Sequence, residues 1–436
     1  MKTAIRMSRP LPALLFLLMA ACAQAATYYV ATNGNDANPG TQASPFRNIA
    51  RGITAAAASG DTVQVAAGTY NERITWNDKS LALQGAGIGS SIIDGEASGS
   101  CLTVARVLST ARITGFTIRN GQGSNQNFGK GGGMNLLNSS LAISNCQFLA
   151  NRAVSDGGAL YALNGSPSVI GCIFSGNLCS GTGQGGGIYL DRSSAQVVNS
   201  LFTGNSGTDG GGIFVNETTP TISHCTFSGN SVVAYGDLRF GRGGAIFVRA
   251  NGIFPPRTTL YNCILWGNTS ENGRPEVGHT DFDDAPSYIA VTYSCVKGGY
   301  TGTGNITTDP RFIGSADYRL QSTSPSINTA TRANSLPNTD LDGRPRILGT
   351  NPDMGAYEYW TSTYGLFVDK ALGNDSSSTG GPTAPYKTVV KAITVAPAGG
   401  RIYIKAGNYG TDRPRITKSL KLYNWQGTGS ASIGKL

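Results

Sequence analysis

Apolar and polar positions repeat along the middle of the chain with a fixed phase. A Gly-Gly-(Gly/Ala)-apolar motif recurs, and each copy is followed by Phe-x-x-Asn, with Leu replacing Phe in the last copy. The first Gly and that Phe are 17 residues apart in four successive copies and 22 apart in the fifth. The motifs begin at Gly131, Gly157, Gly185, Gly210 and Gly243, and at Phe148, Phe174, Phe202, Phe227 and Leu265. Self-similarity at a period of about 25–28 residues predicts a solenoid.

Each coil of this solenoid is predicted to contain short strands and no long helix. One strand follows the Gly-Gly pair, as in Gly187–Asp191, and a second ends at the Phe, as in Val197–Phe202. Both are short, rich in β-branched residues and bounded by Gly or Asn, which is typical of β-strands. No segment between them fits a crossover helix, which excludes a doubly wound sheet.

The first 25 residues have the pattern of a secretory signal peptide. Lys2, Arg6 and Arg9 precede an apolar run, and Ala23–Ala25 is a small-x-small cleavage site. Met19–Cys22 also resembles a lipoprotein box, with an atypical Met in its first position. We therefore expect a protein that is secreted or held on the outer surface of a bacterium, with lipid attachment through Cys22 as the alternative. No later segment is long and apolar enough to predict a transmembrane helix.

Residues 26–110 are predicted to form an N-terminal cap and the first coils. Ser44-Pro45 has the pattern of a helix start, and the Phe46, Ile49, Ile53 and Ala57 that follow lie on one helical face. Because a solenoid end exposes its core and unpaired backbone, we expect this helix to cover that end. Residues 111–268 hold the regular repeats, and residues 269–360 hold the terminal coils and a closing segment.

Residues 361–436 repeat the N-terminal segment at an offset of 338 to 340 residues. The matched pairs are Leu366–Val368 with Tyr28–Val30, Gly373–Asp375 with Gly34–Asp36, Pro385–Tyr386 with Pro45–Phe46, and Ala406–Tyr409 with Ala67–Tyr70. This predicts the start of a second β-helix, which either packs on the first or belongs to a longer array.

The composition fits a solenoid with a small excess of positive charge. The chain has 60 Gly and only 14% charged residues, and its net charge is +9. Without the signal segment, 31 basic and 25 acidic residues remain. An excess of this size, spread thinly, suits an acidic glycan or a cell-envelope component. Without a clustered basic stripe that contains aromatic residues, it does not suit nucleic acid.

Two residue columns have a structural interpretation. Cys146, Cys172, Cys225 and Cys263 each lie two residues before the Phe or Leu, which predicts a stack of buried thiols, with disulfides between coils as the alternative. The Asn of each Phe-x-x-Asn is predicted to satisfy backbone groups at a corner. Two histidines, His224 and His279, are too few for most His-based sites.

A third column offers candidate catalytic groups. The residue before each Gly-Gly is, in order, Lys130, Asp156, Gln184, Asp209 and Arg242. With coils about 4.8 Å apart, Asp156 and Asp209 would be roughly 9–10 Å apart. That distance is near the upper end of the carboxylate spacing in inverting glycosidases. The alternative is a ladder of complementary charges that pairs Lys130 with Asp156 and Arg242 with Asp209.

A fourth column offers candidate ligand-binding groups. Tyr161, Tyr189, Phe214 and Phe247 alternate with core-facing apolar residues, so they point away from the core. Exposed rings beside Lys130 and Arg242 would form a surface on which sugars stack. The alternative is a stack that stiffens the sheet or is covered by loops. Asp36 and Asn38 are candidate calcium ligands in the entry loop, with a plain turn as the alternative, and no other cofactor is expected.

Several segments resemble known families. The paired Gly-Gly-Ala-Ile and Phe-x-x-Asn motifs resemble the repeats of bacterial polymorphic outer-membrane proteins, which are surface adhesins. The opening, from Tyr28–Val30 to Ala67–Arg73, resembles that of right-handed parallel β-helix proteins, including pectate lyases. Asp340–Arg346 and Asp353–Tyr359 are similar to the closing segment of secreted β-helix proteins that carry C-terminal anchors.

The same resemblance also shows what this chain lacks. A β-helix lyase of the pectate-lyase kind is expected to carry an acidic calcium-binding run, near Asn-Ser-Asp-Asp-Gly, with a Lys or Arg base. This chain has no such run, and its nearest acidic cluster is Asp281, Asp283 and Asp284. No recognisable anchor follows Tyr359, where the second solenoid begins instead.

Together these patterns predict an all-β protein, a right-handed parallel β-helix with a short N-terminal capping helix, followed by the start of a second β-helix. The function that fits best is binding of polysaccharide or a cell-envelope component by a secreted or cell-surface protein. The alternatives are a polysaccharide lyase or glycoside hydrolase acting on acidic glycans, and a structural stalk. The fold alone does not choose between them, since such folds support both enzymes and binding proteins.

Overall fold

A computed structural model of the protein describes residues 25–57, 59–123, 129–233, 242–249, 257–271, 276–279, 289–332, 337–361, 365–382, 384–425 and 431–433. The signal segment up to residue 24 and the acidic cluster at 281–284 lie outside these residues. The predicted fold class is confirmed: the chain forms a right-handed parallel β-helix and the start of a second one. In the described part of the chain, no helix is long and apolar enough to cross a membrane.

Among the described residues, three long parallel sheets and one short one build the first solenoid. Sheet A consists of Thr27–Val30, Ser59–Val65, Ser80–Gln84, Arg112–Thr114, Ala142–Ser144, Ser168–Ile170, Gln196–Val198, Thr221–Ser223, Thr258–Tyr261 and Ile289–Thr292. Sheet B consists of Gly68–Tyr70, Ser91–Asp94, Phe116–Arg119, Gln147–Leu149, Ile173–Ser175, Leu201–Thr203, Thr226–Ser228, Ile264–Leu265 and Cys295–Val296.

Sheet C contains the strands that follow the Gly-Gly motifs. Its members are Ile74–Asn77, Leu102–Ala105, Met134–Leu137, Leu160–Gly165, Ile188–Ser193, Ile213–Asn216, Ile246–Arg249 and Val277–His279. Sheet D consists of Arg152–Ala153, Leu178–Cys179, Ser206–Gly207 and Ser231–Val232. Along a regular coil the chain passes through sheets C, A, B and D in that order.

The second strand predicted in each coil is in fact two strands. Val197–Phe202 is divided between sheets A and B, and Asn199 between them has a positive φ of 53°. The equivalent corners are Asn145, Gly171, His224 and Asn262, all with positive φ. A left-handed residue cannot continue a strand, so the chain turns there into a different sheet. The prediction missed this corner because the apolar alternation runs through it.

The core is made of stacked columns, one residue from each coil. Phe148, Phe174, Phe202 and Phe227 stack in parallel, with successive ring centroids 4.8, 4.7 and 4.6 Å apart. The cysteine column lies in the same core, and all its members are buried and unpaired. The prediction of stacked thiols is thus confirmed, and the disulfide alternative is not.

The asparagine column forms a continuous hydrogen-bonded ladder, as predicted. Asn205 Oδ1 accepts from the backbone N–H and from Nδ2 of Asn177, at 3.1 and 2.8 Å. Asn205 Nδ2 donates to the Phe174 carbonyl and to Asn230 Oδ1, at 3.0 and 2.8 Å. Asn151 and Asn268 continue the same pattern at either end. The motif therefore supplies one core ring and one backbone-satisfying amide per coil.

The N-terminal helix begins later than predicted. It spans Ile49–Ala55 with Asn48 at its N-cap, so Ser44-Pro45 does not start it. Phe46 instead pairs with Val30 as an extension of sheet A. The helix still packs on the first strands of the solenoid.

A distant carboxylate caps this helix. Glu72 accepts hydrogen bonds from the backbone N–H groups of Ile49 and Ala50, at 2.7 and 3.0 Å. Asp36 accepts from those of Arg47 and Asn48 and keeps this segment extended. Because both carboxylates come from elsewhere in the sequence, the local Ser-Pro signal gave the wrong start.

The second unit, residues 365–433, repeats the cap and the first coil. It contains strands Leu366–Val368, Arg401–Lys405 and Lys421–Trp425 in one sheet, Gly407–Tyr409 and Ala431–Ile433 in another, and helix Val389–Val395. It packs on the closing segment of the first unit. Trp425 Nε1 donates to the Gly343 carbonyl at 2.7 Å, and Phe367, Tyr403 and Trp425 cluster with Leu348.

The closing segment, in its described residues 297–332 and 337–361, folds back along the solenoid without a regular strand or helix. Asn262 pins it by two hydrogen bonds, since its Nδ2 donates to the Thr331 carbonyl and its Oδ1 accepts from the Thr331 N–H, both at 2.9 Å. Asn199 Nδ2 donates to the Thr339 carbonyl at 3.0 Å. The corner residues between sheets A and B thus anchor this segment beside sheet A.

Candidate functional site

The predicted aromatic column lies on the outer side of sheet C, but it is not exposed. Tyr161, Tyr189, Phe214 and Phe247 pair in register, with ring centroids 5.4, 4.8 and 5.4 Å apart. Their exposed fractions are only 2, 5, 0 and 0%. The expectation of an open row of rings is therefore wrong, and the alternative of a covered stack is right.

Cationic side chains cover these rings. Lys130 Nζ lies 4.3 Å from the ring centroid of Tyr161. The Arg242 guanidinium lies 4.8 Å from that of Phe247, and Arg249 lies 4.8 Å from that of Phe214. Cations at these distances are attracted to the ring faces. Lys130 and Arg242, predicted as ligand-binding residues, thus form a lid over the stack.

The Gly-Gly turn explains why this lid forms. Gly185 has a φ of 69°, and a Cβ on it would come 2.5 Å from the Ile188 carbonyl oxygen. The turn is therefore folded tightly back on its own strand, which only Gly allows. This brings the residues that precede a Gly-Gly pair close to the outer side of sheet C, where Arg242 lies over Phe247 of its own coil and Lys130 lies over Tyr161 of the next. Side-chain alternation alone does not reveal this overlap.

The charged column forms the ladder of complementary charges. Lys130 Nζ is 3.3 Å from Asp156 Oδ2, and Arg242 Nε is 3.9 Å from Asp209 Oδ1. Gln184 lies between the two acids, and its Nε2 donates to Asp209 Oδ2 at 3.4 Å. The Asp209 side chain is 1% exposed. The two carboxylates therefore do not face each other across an open groove, as an inverting glycosidase would need.

Asp191 and Arg249 complete this layer, and sequence reasoning missed both. Tyr161 Oη donates to Asp191 Oδ2 at 2.8 Å and accepts from Lys130 Nζ at 3.0 Å. Burial and the Asp191 carboxylate raise the pKa of Tyr161 above its usual range, so it is not a base at neutral pH. Asp191 lies two residues after Tyr189, and Arg249 lies two residues after Phe247. The side-chain alternation that placed the rings on this side of the strand therefore also predicts these two residues there.

The predicted calcium ligands lie in the entry turn. Asp36 Oδ1 accepts from the N–H groups of Arg47 and Asn48, and Asn38 Nδ2 donates to the Pro45 carbonyl at 2.9 Å. These contacts are those of a structural turn. Within the described ranges, no group of three His, Cys, Asp or Glu side chains is placed to hold a metal ion.

A cleft that sequence reasoning did not predict lies between sheet A and the closing segment. Its volume is about 770 Å³. Its floor carries outward-facing side chains of three successive coils, Ser144, Ile170, Gln196 and Val198, together with the corner residues Asn145, Gly171 and Asn199. Its wall is Pro337–Gly343. Side-chain alternation along the strands of sheet A predicts which residues of the floor face outward. That the closing segment lies beside them cannot be predicted from the sequence, because the two are far apart along the chain.

Accessible groups in this cleft are neutral and of two kinds. Gln196, Asn338 and Ser144 offer amides and a hydroxyl, while Ile170, 41% exposed, and Leu341 offer apolar surface. Concave sites that combine apolar walls with a few polar groups are typical ligand sites. The mixture suits a ligand with hydroxyl groups and apolar ring faces.

The two acids of the wall are occupied by contacts within the protein. Asp340 accepts from the N–H groups of Arg344 and Glu358, at 2.6 and 2.8 Å, and burial raises its pKa to about 7. Asp342 accepts from Nε and Nη2 of Arg319, at 2.7 and 2.8 Å, and pairs with Arg344 Nη2 at 2.7 Å. These contacts make the wall rigid and leave neither acid directed at a ligand.

Comparison with known proteins gives a family. The sequence profile of DUF1565, described as a protein of unknown function, matches residues 32–273 and 371–414, which include parts of both units. No curated protein matches the chain in sequence.

Two solved structures show the level of structural similarity. Pectate lyase Pel9A is 14% identical, with a TM-score of 0.40, over 78% of this chain and 97% of its own. Pectin methylesterase PemA from Erwinia chrysanthemi is 15% identical, with a TM-score of 0.35, over 67% and 98%. Similarity at this level does not transfer an activity to this chain.

Proposed function

The chain belongs to the DUF1565 family, whose function is unknown, and we propose that it is an exported protein that binds polysaccharide in the cleft between sheet A and the closing segment. The observation that carries this proposal is the lining of the cleft. Amide and hydroxyl groups of Ser144, Gln196 and Asn338 line the cleft together with the apolar side chains of Ile170 and Leu341. Sugars present the matching chemistry, with hydroxyl groups around apolar ring faces.

The shape of the cleft favours a chain over a single small molecule. Ser144, Ile170 and Val198 of its floor occupy one register position in three successive coils, so outward-facing side chains recur about every 4.8 Å along the solenoid. A repeating floor suits a repeating ligand.

Binding, with no bond cleavage, is supported by the state of the acids. The cleft carboxyls Asp340 and Asp342 are held by arginines and backbone N–H groups. On sheet C, Asp156 and Asp209 are paired with Lys130 and Arg242. Hydrolysis needs a carboxyl that can reach the glycosidic oxygen, and none of these four is directed at an open site.

The binding test compares three single variants on an array of neutral and acidic polysaccharides. Ile170→Trp fills the cleft from an exposed floor position, so at least about tenfold weaker binding is expected. Gln196→Ala removes one hydrogen-bonding side chain, for which about fivefold weaker binding is expected. Gln84→Ala removes the same group from sheet A outside the cleft and is expected to bind like the wild type. Equal retention by all three variants would rule out the cleft as the site.

Export is tested separately at the N-terminus of the mature protein. We expect mass spectrometry of the protein from its native envelope to find Ala26 as the first residue. A lipid-modified Cys22 at the N-terminus would instead show that the chain is a lipoprotein, and retention of Met1 in the cytoplasm would contradict export.

A further inference from the structure

The positive charge of the chain is concentrated in the second unit. Residues 365–436 contain ten basic and three acidic side chains, while residues 26–364 contain 21 and 22. The whole excess of the processed chain therefore comes from this unit, which contradicts the expectation of a thinly spread charge. A concentration of this kind creates a local positive potential that attracts anionic ligands.

The three acids of this unit do not neutralise its exposed cations. Asp369 pairs with Lys405 at 2.7 Å, the one ion pair of this unit among the described residues. Asp375 accepts from the N–H groups of Lys387 and Thr388. Asp412 Oδ2 accepts from the Val389 N–H at 2.6 Å, at the start of the helix. Each acid holds the fold of its own loop.

The second unit exposes three cations without an ion pair among the described residues, and one tyrosine ring. Arg413, Arg415 and Lys421 are exposed. Tyr423 follows Lys421 by two positions on the last described strand of its sheet, so the two share a face. Its ring is 40% exposed and stacks on Tyr403 with centroids 5.2 Å apart.

The first unit shows that the fold does not require these side chains. The paired strands of the two units can be aligned at the same sequence offset of 339 residues. Arg401 and Tyr403 then correspond to Thr62 and Gln64 of the first unit. Lys421 and Tyr423 correspond to Ala82 and Gln84. Positions that are neutral and non-aromatic in one copy are therefore cationic or aromatic in the other. Arg401 and Tyr403 hold the second unit on the closing segment, since Arg401 Nη1 donates to the Leu348 carbonyl at 3.2 Å and Tyr403 packs with Leu348. The differences that point to recognition are therefore those at the exposed Lys421 and Tyr423.

We propose that the second unit binds acidic polysaccharide through its exposed residues Arg413, Arg415, Lys421 and Tyr423, here called the basic face. The cations would contact carboxylate or sulfate groups, and the Tyr423 ring would stack on a sugar ring. A single exposed ring suits one sugar better than a run of bases, because single-stranded nucleic acid is held on several successive aromatic platforms. The basic face shares no residue with the cleft, so the two proposals are tested independently.

The experiment measures binding of the full chain to polygalacturonate, with neutral dextran as the reference polymer. We expect the triple variant Arg413→Gln/Arg415→Gln/Lys421→Gln to bind polygalacturonate about tenfold more weakly than the wild type. The matched control Arg112→Gln/Arg152→Gln/Arg257→Gln removes three exposed cations from the first unit. Its affinity should change by less than about twofold, since at physiological salt exposed charges act over only about 8 Å.

Two further variants separate stacking from charge and this face from the cleft. Tyr423→Ala should weaken binding of polygalacturonate, while Tyr423→Phe should retain it. Ile170→Trp should leave this binding unchanged even where it removes binding in the cleft. Unchanged far-UV circular dichroism shows that each variant is folded.

Three results would overturn the proposal. The first is an equal loss of affinity in both triple variants, which would indicate non-specific attraction. The second is binding of a single-stranded DNA oligonucleotide as tight as that of polygalacturonate. The third is equally tight binding of phosphatidylglycerol vesicles.

Discussion

The side-chain amide of Asn268 donates a hydrogen bond of 2.5 Å to the carboxylate of Glu276, where the asparagine ladder ends. Glu276 also accepts from the Gly267 N–H at 3.1 Å and is 3% exposed. It therefore takes the accepting role of the next asparagine. Burial raises the pKa of Glu276 to about 7, although its hydrogen bonds and Lys297 act in the opposite direction.

We predict that Glu276 makes the protein less stable as the pH rises from about 4.5 to about 7. Its pKa is higher in the folded state than in the unfolded state. The folded state therefore binds more protons in this range, and the free energy of unfolding falls as the pH increases. In Glu276→Gln this contribution is absent. Between these pH values, the free energy of unfolding of the variant should therefore rise relative to that of the wild type by roughly 3 kcal/mol at most.

Urea unfolding of both proteins at several pH values measures this gain. Asp340 and Asp353 also have raised pKa values, but they are present in both proteins, so their contribution cancels in the difference. A difference that stays constant between pH 4.5 and 7 would show that Glu276 ionises normally in the folded protein.

The ladder itself should be costly to interrupt. Asn205→Ala removes the acceptor of the Asn177 N–H and of its side-chain amide, and the donor to the Phe174 carbonyl. Leaving these buried groups unsatisfied should lower the free energy of unfolding by about 3 kcal/mol. Asn71→Ala, which removes an exposed amide bonded to Glu96, is the control and should cost less than about 0.5 kcal/mol. Equal costs in urea unfolding would mean that the ladder is replaceable.

The solenoid was predictable because its core repeats in phase. Phe148 and Phe174 are register partners on adjacent strands, so one repeat of the sequence motif corresponds to one coil of the solenoid. The Asn of each motif was predictable for the same reason. The corner at Asn199 was not predictable, because it depends on a backbone conformation. The start of the first helix was not predictable either, because it depends on Glu72, which lies far along the sequence.

The Tyr161 and Tyr189 rings lie in contact but differ in their hydroxyl groups. Tyr161 Oη bonds both Lys130 and Asp191, whereas no hydrogen bond is found for Tyr189 Oη among the described residues. Tyr161→Phe should therefore lower the free energy of unfolding by about 1–2 kcal/mol, and Tyr189→Phe by less than about 0.5 kcal/mol. Thermal unfolding of the two variants measures this contrast. Equal shifts would show that the Lys130–Tyr161–Asp191 contacts do not stabilise the layer.

The candidate sites were harder to predict than the fold. Alternation correctly placed Tyr161 and Tyr189 on the side of sheet C away from the core, but it carries no information about what covers that side. The cover comes in part from Lys130 and Arg242, beside the turns at Gly131 and Gly243, and the tight fold of these turns against the strand is a backbone property. The cleft joins Gln196 to Asn338, 142 residues later, and only the folded closing segment brings them together.

The cysteines should be unreactive in the native protein. All seven described cysteines are buried and unpaired, and burial raises the pKa of Cys101, Cys146 and Cys295 to about 12. At pH 8 only about one such thiol in ten thousand is ionised, and the thiolate is the reactive form. A disulfide reagent should therefore label no thiol of the folded protein and all seven after denaturation without reductant. Ser166→Cys, which places a thiol at an exposed turn, is the positive control and should react at once. Rapid labelling of the native wild type, or fewer than seven thiols after denaturation, would contradict the stack of reduced, buried cysteines.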